Sequence, residues 1–202
     1  MKCLIVSGGQ FSKAKIDRHY DLVIACDKGY MYAKKLGIKV DIVVGDFDSM
    51  KRPKDNVVII EAEKEKDDTD TGLAVKYAIR SGYKNIDIIC ALGKRLDHTL
   101  ANISLLKYIA ENGAKGKIIS GREELFTIGQ GVTKIKKKPR HYLSIFSLSD
   151  RSLVEYIKGT KYNVQNITLR NSFSLGISNK FEEEFTRIKV KKGILLVSII
   201  KE

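Results

Sequence analysis

The run Val43-Val44-Gly45-Asp46-Phe47-Asp48-Ser49 decides how this chain is read. It starts as an apolar strand, stops at a glycine and then presents two carboxylates one residue apart. Further on, Lys66-Asp67-Asp68-Thr69-Asp70 places three more carboxylates at what reads as a helix start. Oxygen-rich sites of this kind suit Mg²⁺, a hard cation that takes one or two carboxylates and fills its shell with water and substrate phosphates. The pattern points to a nucleotide polyphosphate.

Working outward, short apolar runs alternate with helical periodicity through the first part of the chain. Strands are expected at Lys2–Val6, Leu22–Cys26, Ile42–Val44, Val57–Ile60, Ile86–Cys90 and Lys117–Ser120. Each is rich in Val, Ile or Leu and lacks clean alternation, as in strands covered on both faces. Helices are expected at Lys28–Leu36, Thr69–Arg80 and Leu96–Glu111, each followed by a glycine (Gly37, Gly82, Gly113) suited to a C-terminal cap. Such alternation predicts an α/β domain with a parallel sheet over residues 1–122. Residues 123–202 instead hold short β-rich pieces at Leu125–Ile128, Tyr142–Leu148, Leu153–Ile157, Ile188–Val190 and Ile194–Ile200, separated by Gly, Asn and Ser turns that include Gly159–Tyr162 and Ser174–Asn179, with no helix-length period. That half reads as all-β: a small antiparallel sheet, sandwich or barrel.

Composition sets the outer limits. The 202 residues are 43% hydrophobic and 30% charged, which excludes a disordered chain. No signal-peptide layout and no apolar run long enough to cross a bilayer is seen, so no membrane partner is expected. Cys3, Cys26 and Cys90 each lie in an apolar run and none has metal-ligand spacing, which reads as buried thiols and a cytoplasmic protein. The net charge of +13 is uneven. Residues 1–120 carry 21 Lys+Arg against 16 Asp+Glu, and residues 121–202 carry 16 against 8. The densest basic run, Lys134 to Arg140, reads as a loop and a solvated surface. A nucleic-acid-binding module built on that run is the non-enzymatic alternative, but no interleaved aromatic and basic pattern supports it.

In an open parallel sheet, ligands gather beyond the carboxyl ends of the strands. Asp27, Asp46 and Asp48 follow expected strands directly, and Asp70 and Asp97 sit near helix starts, so one mouth can collect five carboxylates. Taken singly, Asp68, Thr69 and Asp70 also fit as helix caps, and Asp46 and Ser49 as turn residues. Taken together they need neutralising: two carboxylates ~6 Å apart at an effective dielectric of ~20 repel by roughly 3 kcal/mol. Mg²⁺ answers that need. Neither a G-x-x-x-x-G-K-[ST] loop nor a G-x-G-x-x-G fingerprint is present; Ser7-Gly8-Gly9 after the first strand reads as a tight turn. Leu92-Gly93-Lys94-Arg95-Leu96-Asp97-His98 opens a helix with two cations beside a glycine, a natural phosphate cradle. His98 has no nucleophile pattern around it and reads as a packing or hydrogen-bonding residue.

These blocks resemble the thiamine pyrophosphokinase family. The resemblance lies in Asp41 to Ser49, in Lys66 to Thr71, in Gly93 to Asn102, in Gly159-Thr160-Lys161-Tyr162 and in Gly176-Ile177-Ser178-Asn179. It implies a two-domain homodimer with an α/β nucleotide domain followed by a β-sandwich. It implies transfer of the pyrophosphoryl group of ATP to the hydroxyl of thiamine, giving AMP and thiamine diphosphate. On the same carry-over Asp46, Asp48 and Asp70 hold Mg²⁺, and Thr69, Asp97 and Arg95 line the ATP side with Asp27 nearby; Lys94, where the family commonly has a glycine, suits the same ATP site as a cation beside a polyanion. Tyr162, Ser178 and Asn179 would line a thiamine pocket built across the dimer interface. Lys28, Lys94 and Thr160 depart from the family's common residues. A diphosphokinase acting on another primary alcohol, such as a hydroxymethylpterin, is the competing enzyme reading.

Overall fold

The structure is a computed structural model that describes residues 1–17, 19–47, 52–53, 57–61 and 68–202. The chain divides into two compact units, Met1–Gly121 and Arg122–Glu202.

The first unit runs β1 (Lys2–Val6), β2 (Leu22–Cys26), α1 (Gly29–Lys35), β3 (Ile42–Gly45), β4 (Val58–Glu61), α2 (Asp70–Arg80), β5 (Asn85–Ile89), α3 (Leu96–Glu111) and β6 (Lys115–Ile119). Its strands lie in the order β6-β5-β1-β2-β3-β4 and every pairing is parallel. Leu4, Val6, Val23, Ala25 and Val43 pack with Tyr30 and Ala33 of α1 in one core, while the alternating residues Cys3 and Ile5 are equally buried on the other face. Both faces are therefore covered, which is why these strands carry unbroken Val/Ile/Leu runs. Gly116 of β6 lets α3 lie close: a Cβ there would meet Ile109 at 2.9 Å and Leu106 at 3.0 Å. The chain leaves β1 toward β2 but leaves β5 toward β6, so the turns after β1 and β5 part at a topological switch point. That crevice, at the carboxyl ends of the strands, is where a ligand fits.

The second unit is all strand: β7 (Glu123–Ile128), β8 (Gly131–Lys136), β9 (His141–Ser147), β10 (Arg151–Lys158), β11 (Val164–Arg170), β12 (Gly176–Lys180), β13 (Phe185–Lys192) and β14 (Leu195–Lys201). One set pairs antiparallel in the order β12-β9-β14-β7, the other in the order β11-β10-β13-β8. Leu143, Ile145, Leu195 and Val197 from the first set share one buried cluster with Val154, Ile157, Ile188 and Val190 from the second.

Two sequence expectations change here. Lys134 to Lys136, read as part of a loop, belong to β8, and Gly176 to Asn179, read as a turn, belong to β12. Together with β11, also not expected, these are outermost strands. An edge strand of this kind buries little: in β8 only Ile135 is buried, and in β12 no residue is. Exposed edges tolerate lysine and lack the apolar run that marks a central strand.

Candidate active site

A cleft of about 520 Å³ opens at the carboxyl ends of the first unit's strands. Gly8 and Gly9 after β1, Asp27 after β2, Asp46 after β3, Asp68, Thr69 and Asp70 at the start of α2, and Gly93, Lys94 and Arg95 after β5 line it. Five loops thus meet at one mouth because parallel strands end on one side.

Hydrogen bonds fix the carboxylate wall. The Asp27 N–H donates to the Val44 carbonyl at 2.9 Å, holding the end of β2 beside β3. The Ser7 and Thr71 hydroxyls meet at 2.8 Å in a buried contact that joins the β1 turn to α2. Thr69 caps α2, its Oγ1 accepting from the Gly72 N–H at 3.0 Å. Asp68 holds that cap: Oδ1 accepts from the Thr69 N–H at 2.8 Å, and Oδ2 pairs with Lys76 at 2.7 Å. A Cβ on Gly72 would overlap the Asp68 carboxylate, so a side chain there would displace Asp68 from the cap. Thr69 and Asp68 therefore act as a cap, while Asp70 in the first turn faces the cleft.

The cation wall is built from the turn between β5 and α3. The Thr99 hydroxyl accepts from the Gly93 N–H at 3.1 Å and donates to the Arg95 carbonyl at 3.1 Å. Buried Asn102 donates to the Ala91 carbonyl at 2.7 Å. Gly93 (φ 78°) and Lys94 (φ 60°) are both left-handed, which turns the chain sharply toward the β1 turn. Arg95 grips Asp97 through Nε to Oδ1 at 3.1 Å and Nη2 to Oδ2. That pairing, helped by the His98 N–H, holds the Asp97 carboxyl at about 2. Asp97 is not among the cleft's lining residues; its carboxylate pairs at the rim, and His98 lines the cleft instead.

Among the described residues seven non-glycine positions have positive φ, and Asp27, Phe47, Cys90 and Lys94 are four of them. All four follow the ends of β2, β3 and β5. Left-handed backbone costs an L-residue roughly 1–2 kcal/mol, and such positions cluster where function requires them.

Asp48 lies outside the described residues. Among those described, no three His, Cys, Asp or Glu side chains stand together as a metal cage. Asp27, Asp46 and Asp70 nevertheless offer only hard oxygen donors to the cleft. That donor set fits Mg²⁺, which needs one or two carboxylates and prefers water and phosphate for the remainder.

In the second unit, Tyr162, Ser178 and Asn179 form a neighbourhood of their own. The Asn179 amide is fully engaged: Oδ1 accepts from the Tyr162 N–H at 3.0 Å and the Lys180 N–H at 2.9 Å. Its Nδ2 donates to Thr160 Oγ1 at 3.1 Å and to the Tyr162 carbonyl at 2.9 Å. An amide side chain has two donors and two lone pairs, so nothing of Asn179 is left for a ligand. Ser178 is left-handed at φ 57°, its N–H donates to Ser144 Oγ at 3.0 Å, and the residue is exposed. Tyr162 is 59% exposed, with Lys161 Nζ 5.4 Å from its ring centroid.

The chain matches the family model of the thiamin pyrophosphokinase catalytic domain over residues 14–118 and that of the vitamin B1 binding domain over residues 132–195. It belongs to the thiamin pyrophosphokinase family. It is 29% identical to the thiamine pyrophosphokinase of Bacillus subtilis over 188 residues, covering 90% of this chain and 87% of that protein. A crystal structure of the Bacillus subtilis enzyme superposes with a TM-score of 0.89 at 27% identity, each chain fully covered. A thiamin pyrophosphokinase family protein from Enterococcus faecalis does so with a TM-score of 0.87 at 26% identity, again over all of both chains.

The catalytic-domain match spans Asp27, Asp46, Asp70 and Arg95, and the vitamin B1 match spans Tyr162, Ser178 and Asn179. Sequence reasoning did not find Tyr32, whose hydroxyl reaches both the glycine turn and Lys94. Nothing in its helical setting marks it, since a tyrosine in α1 reads as packing.

Proposed function

We propose that the chain transfers the pyrophosphoryl group of ATP to the hydroxyl of thiamine, yielding thiamine diphosphate and AMP. The observation that carries this reading is the pair of family matches in tandem, the first of which falls on a cleft with a carboxylate wall and a cation wall. The first unit acts as the α/β ATP-binding catalytic domain and the second as a β-sandwich thiamine-binding domain. Homodimer assembly goes with the same reading, and size-exclusion with light scattering reports it.

Bound Mg²⁺ would be held by Asp46 and Asp70, with Asp48, and would neutralise phosphate oxygens as charge builds on them. The protein's own groups do the rest. Phosphoryl-type transfer depends on in-line placement and charge neutralisation more than on covalent help. The Gly8-Gly9 turn presents backbone without side chains, so a phosphate chain can lie close to it. Asp27 and Asp70 line the same cleft beside that turn, and Lys94 and Arg95 line it from the turn after β5. Arg95 is oriented by Asp97, which acts as a positioning residue rather than a contact.

In the second unit, Tyr162 offers its ring face to a cationic heterocycle such as thiazolium. Asn179 holds the Tyr162 turn, and Ser178 is its exposed neighbour along β12. The test is a substrate panel with ATP and Mg²⁺, scored for AMP and diphosphorylated product. Thiamine is expected to turn over; product from a hydroxymethylpterin and none from thiamine would replace the substrate. Stripping the protein with EDTA should abolish turnover, and Mg²⁺ should restore it; activity that survives EDTA would remove the metal.

A further inference from the structure

Three features meet at the rim of the cleft between the turns after β1 and β5. Lys94 Nζ donates to Tyr32 Oη at 3.1 Å, and Tyr32 Oη in turn donates to the Gly9 carbonyl at 3.2 Å. The two turns are laced together beneath them, Gly9 N–H to the Cys90 carbonyl at 2.9 Å and Gln10 N–H to the Leu92 carbonyl at 3.1 Å. Tyr32 itself is held by the Phe11 ring, 5.4 Å away between centroids.

The hydrogen-bond directions follow from the chemistry. A phenol has one proton, and with that proton on the Gly9 carbonyl only its lone pairs can meet the ammonium. The left-handed backbone at Lys94 sends the side chain across the turn toward Tyr32. One of the three ammonium protons goes to Tyr32, and the others are available to an anion in the cleft that Lys94 lines. Arg95 adds little net charge at the same rim, because Asp97 neutralises it.

We infer that Tyr32 is a positioning residue that holds Lys94 over the Gly8-Gly9 turn as the cation that receives the nucleotide's polyphosphate. The inference rests on the nucleotide reading of this cleft, but not on which alcohol accepts the pyrophosphoryl group. Removing the hydroxyl releases Lys94 without disturbing the ring, and removing the ammonium leaves Tyr32 with nothing to position.

A double-mutant cycle on ATP affinity tests it, by calorimetric titration of the whole chain with a non-hydrolysable ATP analogue and Mg²⁺. A hydrogen bond to a charged group contributes enough that Lys94→Met should weaken binding about tenfold at this exposed site. Tyr32→Phe should weaken it about fivefold, and Tyr32→Phe added to Lys94→Met should cause no further loss. Lys94→Arg should recover part of the affinity. KM for ATP should rise in parallel, with the thiamine KM little changed. Melting temperatures of all variants should stay near wild type, which separates positioning from packing. An effect of Tyr32→Phe that adds fully to that of Lys94→Met overturns the inference, as does unchanged affinity in Lys94→Met. Tight nucleotide binding by a wild-type protein that leaves thiamine unreacted would sink the proposed reaction and leave the inference standing. No nucleotide binding at all would remove both.

Discussion

Replacing Asn179 by alanine tests whether this side chain builds the proposed thiamine pocket or touches thiamine itself. The side chain makes four hydrogen bonds, of which the one to the Lys180 N–H is local to its own strand. The other three tie β12 to the Thr160–Tyr162 turn. A net contribution of about 0.5–1.5 kcal/mol per bond, taken at about 0.7 because water can reach Tyr162, gives about 2 kcal/mol for the three. For a chain of this size that is a fall of roughly 4–8 °C in Tm. Thermal melting followed by circular dichroism reads this, alongside KM for both substrates. The expected result is a lower Tm, a thiamine KM raised several-fold and an unchanged ATP KM. Asn179→Asp should destabilise at least as much, because it sets a carboxylate oxygen against the Tyr162 carbonyl in place of a donor. An unchanged Tm with a raised thiamine KM would refute the reasoning, since the amide would then be meeting the substrate and not the turn.

If Asp46 holds the proposed Mg²⁺, Asp46→Asn should fold normally, with wild-type melting, and lose at least about 100-fold in kcat, because a metal ligand contributes several kcal/mol to the transition state; near-normal turnover would remove Asp46 from the proposed metal site. The Asp97 carboxyl lies below its ordinary value of 3.8, at about 2, because of the Arg95 hydrogen bonds and the His98 N–H. A depressed carboxyl stabilises the fold above its ordinary value and loses that contribution as the pH falls toward 2. A carbon-detected NMR titration should place its midpoint near 2 and move it upward in Arg95→Ala; an unmoved midpoint would dismiss the pairing. All three cysteines are buried and free. Burial, with Asp41 and Asp87 nearby, pushes the Cys3 thiol up to about 12, and burial also raises Cys26 and Cys90. At pH 8 the folded protein should therefore resist iodoacetamide, with alkylation appearing only in denaturant; fast labelling of the native chain would contradict this.

The central strands of the first unit were legible because they are buried on both faces. Lys2–Val6 and Leu22–Cys26 were read with the bounds the structure shows, and so was α3 at Leu96–Glu111. The edge strands β8, β11 and β12 were not, since exposure removes the apolar pattern that periodicity detects. The site followed the same division. Asp27, Asp46 and Asp70 were legible because strand ends and helix starts are positions with a known outlook. Asp97 was placed with the cleft carboxylates, yet its short spacing to Arg95 lets it pair at the rim. The engagement of Asn179 and the bridge through Tyr32 depend on contacts between segments far apart in the chain, which no local pattern encodes.

The outermost strand β8 carries Lys134 and Lys136 on exposed positions, and β12 at the margin of its own sheet ends in Lys180. An open margin of backbone amides invites a second copy of the chain to add itself, and fibres grow that way. Ammonium groups along the margin repel an identical margin approaching from solution. Part of this chain's surplus positive charge is thus a guard on its β-sheets, a purpose that needs no bound polymer to explain it.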